Sequence, residues 1–127
     1  MIISERTKQF KVDLLRCSFV LIDSQKDYDF LMEANEIDQG TLPDYNGNNG
    51  SCSVLSVDGS IYFVMAMRSK DTQILIHEVV HLVHFIFDHL GIPVTVENSE
   101  IIAYTTDYIY GKLAKHYGIP KKYRKRK

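Results

Sequence analysis

The segment Ile74 to Leu90 (ILIHEVVHLVHFIFDHL) constrains the fold more than any other part of the chain. Eleven of its 17 residues are apolar and lie all round a helix of 3.6 residues per turn. Ser69 or Asp71 can cap its start, and Gly91 with Pro93 supplies a stop. The pattern predicts a long central helix, buried on all sides. Set into it are His77, Glu78 and His81, an HExxH motif. Residues i and i+4 share a helix face about one turn apart, so both imidazoles can reach one ion. With five His in 127 residues, chance places such a motif in about one shuffled chain in a hundred. Two imidazoles and a carboxylate buried without partners would also cost several kcal/mol. A metal site is therefore expected in preference to satisfied core histidines.

Zn²⁺ takes imidazole nitrogens at roughly 2.0–2.1 Å, and a catalytic site needs three protein ligands plus an open position. Glu78 is rotated off the ligand face, where it can touch the water held there without coordinating the metal. Zinc lowers the pKa of that water towards ~7, and Glu78 takes its proton as it attacks a carbonyl. The third ligand must come from elsewhere. The continuation HExxHxxGxxH is excluded, because His84 occupies the glycine position and Phe87 the final histidine position. A last helix, from Asn98 or Ser99 to before Gly118-Ile119-Pro120, offers Glu97, Glu100 and Asp107. Glu100 precedes Ile101, Ile102, Ala103 and Tyr104, so it is expected in a core-facing first turn, where a cation would compensate it. Glu97 is expected before the helix and towards solvent, and Asp107 suits a hydrogen bond to a ligand histidine. Tyr104 and Tyr108 are candidate donors to the oxyanion, each also readable as an ordinary core aromatic. His84 shares the face of His81 and can touch substrate or lie on the surface. His89 and His116 suit helix C-termini.

Upstream, Thr7 to Leu15 reads as helix or strand, and Ser18 to Asp23 (SFVLID) as a buried strand. Gln25 to Ile37 reads as a helix capped by Ser24, and Asp38 to Ser51 as a long exposed loop of turn residues. Cys52 to Val57 and Ile61 to Met67 flank Asp58-Gly59, a hairpin signal. Residues 1–118 are expected to form one α+β domain, followed by a basic tail over 119–127. Charge is divided the same way. Residues 1–110 carry 7 Lys and Arg against 16 Asp and Glu, a net of −9, whereas residues 111–127 carry 8 and none. An acidic body argues against nucleic acid as the main partner, and the tail (KKYRKRK) leaves it only a secondary route. No apolar run approaches the ~18 residues of a membrane-spanning helix. Glu5, Arg6 and Lys8 interrupt any apolar leader, so a cytoplasmic protein with no membrane partner is expected. Cys17 and Cys52 form no CxxC pair and read as small buried residues of a reducing compartment.

HEVVH followed by ENSEIIAY, with Glu100 nineteen positions after His81, resembles the gluzincin arrangement of zincin metallopeptidases. The short length, and the acidic residue followed by Ala-Tyr, are similar to small zincin-like proteins encoded by phages and prophages. The resemblance spans roughly residues 52–117. It implies a minimal zincin-like fold, a small β-sheet packed on the HExxH helix and a C-terminal helix. It also implies an edge strand at Ile61 to Met67 that binds extended substrate antiparallel. His77, His81 and Glu100 would hold Zn²⁺, and Glu78 would be the general base. Larger gluzincins often carry an aspartate four residues after the ligand glutamate, where this chain has Tyr104. Either Asp107 takes that role or the third ligand is not Glu100. The function expected is a zinc-dependent metallopeptidase acting on a peptide or protein, a host protein in the host cytoplasm if the chain is phage-encoded. The alternative is a catalytically silent zincin-fold binding protein that keeps zinc for structure.

Overall fold

Four segments extend as strands in the computed structural model of the chain, which describes residues 1–120: β1 (Lys8–Val12), β2 (Cys17–Ile22), β3 (Gly50–Val57) and β4 (Ser60–Met67). They form one mixed sheet in the order β1-β2-β4-β3. β2 and β4 run parallel at its centre, and β1 and β3 pair antiparallel as its two edges. The central strands are buried on both faces, with Phe19–Ile22 and Phe63–Met67 out of solvent. That is why they read as unbroken apolar runs instead of alternating ones.

Three α-helices cover the sheet, so the fold is mixed α+β. On one face, α1 (Gln25–Ala34) packs Tyr28 and Leu31 against Val20, Ile22, Val64 and Ala66. Ser24 caps it, its hydroxyl accepting from the Asp27 amide at 3.1 Å. On the other face, α2 (Thr72–Leu90) and α3 (Ser99–His116) bury Leu75, Val79, Leu82, Ile86, Ile109 and Leu113 over Phe19, Leu21, Phe63 and Met65. β3 and β4 turn back through Asp58 and Gly59 at φ +51° and +81°, the left-handed pair that a tight hairpin needs. Among the described residues no helix is long and apolar enough to cross a membrane.

One open expectation is decided and several others are corrected. Thr7 to Leu15 is a strand followed by a single 3₁₀ turn, Asp13–Leu15. The loop over Asp38 to Ser51 is anchored, because Leu42 and Tyr45 are buried and the Tyr45 hydroxyl donates to the Met67 carbonyl at 3.0 Å. Cys17 and Cys52 are free and only half-buried. His116, in the last turn of its helix, meets Asp23 Oδ2 at 3.2 Å. The Ile61 to Met67 segment is β4, an interior strand, and the edge beside α2 is β3. Nor is α2 buried on all sides. Among the described residues nothing covers its outer face, so Ile76 and Val80 are 45% and 40% exposed, beside exposed His77, His81 and His84. Residues 121–127 of the basic tail lie outside the described residues.

Candidate metal centre

Helix α2 begins five residues after β4 ends, and Asp71 fixes its first turn by accepting from the amides of Gln73 (2.9 Å) and Ile74 (3.3 Å). The second turn therefore stands over the end of the sheet where Gly50 pairs with Met67. There His77 and His81 turn their imidazoles to one another, Nε2 to Nε2 at 3.1 Å, with the rings edge-on at 4.7 Å. Phe85 stacks on the far side of His81. Both histidines are exposed, whereas Glu78 is only 7% exposed.

Glu78 turns towards β3. The Cys52 thiol donates to the Glu78 backbone carbonyl at 3.0 Å. Burial, and then the nearby Glu78 carboxylate, push that thiol far above its ordinary pKa, so Cys52 stays a neutral donor. Asn49, Gly50, Gln73, Ile74, His77 and Glu78 line a cleft of ≈ 340 Å³ between the β3 edge and α2. No family model, curated protein or solved structure matches the chain. The chemistry must therefore be argued from this geometry.

Two imidazole nitrogens on adjacent tetrahedral positions of zinc stand about 3.3–3.4 Å apart when each bond is about 2.0–2.1 Å. The observed 3.1 Å pair fits two such positions. The described residues do not gather three His, Cys, Asp or Glu side chains into a group able to hold a metal. Residues 121–127 contain none of these types. Among the described residues the pair His77 and His81 therefore stands without a third such side chain, and both imidazoles are exposed.

The other candidates stand apart from this pair for a geometric reason. α2 runs nine residues beyond His81 to Leu90, about 13–14 Å of helix at 1.5 Å per residue. α3 starts from that far end and climbs back along β1. Its contacts mark the path: the Tyr108 hydroxyl donates to Asp13 (3.3 Å), Lys112 to the Lys11 carbonyl (3.1 Å), and His116 meets Asp23. Glu100 occupies the first turn of α3 and is exposed there, not core-facing as expected. Glu97 lies in the 3₁₀ turn Val96–Asn98, exposed as expected. Asp107 is exposed, and among the described residues the His77 and His81 imidazoles hydrogen-bond only one another. Tyr104 is 62% exposed, and Tyr108 is committed to Asp13 with Lys112 over its ring. His84 bonds the Val80 carbonyl at 2.8 Å on its own helix. Sequence reasoning had missed Gly50, Cys52 and the amides Asn49 and Gln73. The hairpin signal, which starts a strand close to residue 52, pointed towards the first of these, and the helix pattern after Asp71 towards Gln73.

Proposed function

We propose that the chain is a zinc-dependent peptidase of zincin-like architecture, in which His77 and His81 hold the metal and Glu78 handles the proton. One juxtaposition carries this: a bidentate histidine pair, and a buried carboxylate one residue along, opening on a cleft beside an antiparallel edge strand. The zincin resemblance implies such an edge beside the active helix, and β3 supplies it in place of Ile61 to Met67. The free edge of β3 can pair with an extended peptide and bring a scissile carbonyl over the histidines. Zinc, when bound, supplies a Lewis acid for that carbonyl and the attacking water. Glu78 accepts the proton from the water and returns it to the leaving amine. Glu78 and His77 line the same cleft, and protonated Cys52 takes no nucleophilic part.

Glu78→Gln tests the chemistry. Zinc binding should persist while hydrolysis of an unfolded protein such as casein falls by about 10²–10⁴-fold. Undiminished hydrolysis would remove Glu78 from the mechanism. The second reading, a zinc-holding binding protein without activity, is favoured by the separation of Glu100 from the histidine pair. It predicts that the biological effect of the chain survives Glu78→Gln.

A further inference from the structure

Glycine stands at position 50 for want of space. Gly40, Gly59, Gly91 and Gly118 adopt positive φ, and a Cβ on any of them would meet nothing within 4 Å. Gly50 is the reverse case. Its φ is not positive, but a Cβ would lie 2.9 Å from Glu78 Cγ and 3.0 Å from Met67 Sδ. The contact is with the first carbon beyond the Glu78 Cβ, close to the rigid helix, and not with the far end of a flexible chain. A methyl group there requires Glu78 to turn about its Cα–Cβ bond, with the flexible end of Met67 giving way beside it.

The strand cannot retreat to make room. The Asn49 carbonyl accepts from the amides of Arg68 (2.9 Å) and Ser69 (3.0 Å). The Arg68 guanidinium holds the Asn48 carbonyl (3.1 Å) and Asn49 Oδ1 (2.9 Å). Gly50 itself is paired with Met67 in the β3–β4 ladder. Two residues along, on the same face of the strand, Cys52 grips the Glu78 backbone. The start of β3 is therefore pinned from the β4–α2 junction on one side and pressed against α2 on the other.

We infer that Gly50 is a positioning residue for Glu78: the missing side chain at the start of β3 is the space against which the Glu78 side chain packs, and so sets the direction of its carboxylate. The catalytic consequence rests on the peptidase reading, whereas the steric one does not. In the zinc-loaded full-length protein, Gly50→Ala should lower kcat on casein by about tenfold to a hundredfold. KM and zinc content should be unchanged, since β3 still pairs with substrate and the histidines are untouched. Iodoacetamide labelling of Cys52, read by peptide mass, should become several-fold faster as Glu78 leaves its seat. Gly47→Ala is the control, because a Cβ there meets only Asp44 Cβ, at an ordinary 3.6 Å. Wild-type kcat and wild-type Cys52 labelling in Gly50→Ala would overturn the inference. If the wild type proves unable to cleave casein, the peptidase reading fails alone and the Cys52 labelling still decides this one. Should Gly50→Ala fold poorly, the melting temperature in a Glu78→Ala background replaces it. The added methyl should then be better tolerated than in the wild type, and an equal loss in both backgrounds would overturn the assignment.

Discussion

Asp27 shows how a carboxylate is kept charged in the interior of this chain. Its side chain accepts from Ser4 Oγ at 2.9 Å and from Arg6 Nη2 at 2.9 Å. Burial works to raise its pKa, but the Arg6, Ser4 and Ser24 hydrogen bonds and the Arg6 charge outweigh it, and the pKa is lowered. A pKa lower in the folded than the unfolded state adds stability above the unfolded value, and that stability is lost as pH falls through the folded one. Arg6 is exposed, which limits the gain. Asp27→Asn should therefore cost about 1–2 kcal/mol in urea unfolding at pH 7, and the gap should narrow in acid below the ordinary carboxylate range. Equal gaps at both pH values would remove the charge from the account. At this scale the sequence announced His77, Glu78 and His81, because the spacing of a motif is visible in one dimension. It did not announce Gly50. The closeness of that backbone to Glu78, 28 positions away, exists only once β3 lies against α2.

At the scale of elements, punctuation was the most informative signal. Ser24, Asp71, Gly91 and the Asp58-Gly59 pair begin, end and connect elements where they were read to do so. What failed was inference about surroundings. The apolar count over Ile74 to Leu90 suggested a helix enclosed on every side, but composition does not say how many layers will cover a helix. Tyr45 was lost among turn residues, although its ring and hydroxyl tie the long loop to the end of β4. Glu100 looked core-facing from its apolar neighbours, yet the length of α2 places the start of α3 at the far end from the histidines. α3 also carries a testable imperfection. Thr105 Oγ1 is buried without a hydrogen-bond partner among the described residues. Thr105→Val removes the orphan hydroxyl at nearly constant shape and should raise stability by up to about 1 kcal/mol. A loss of that size in thermal unfolding would show the hydroxyl bonded in solution.

Across the whole molecule, three layers put everything chemically distinctive on one side. Helix α1 and the anchored loop cover one face of the sheet, while α2 presents the histidine pair outward from the other, beside a free β3 edge. The α+β class and its elements were readable from periodicity, whereas the strand order was not. Hydrophobic runs do not reveal which of two hairpin strands sits at the edge. The central claim is that the HExxH helix holds a metal, and zinc content tests it most directly. Wild type purified without chelators and reconstituted with zinc should carry about one zinc per chain, and His77→Ala and His81→Ala should lose it. Glu100→Ala, measured alongside, should keep it if the separation of α3 from the histidines holds in solution, and lose it if Glu100 is the third ligand. No zinc in the reconstituted wild type would contradict the account and leave HEVVH a coincidence of sequence on an exposed helix.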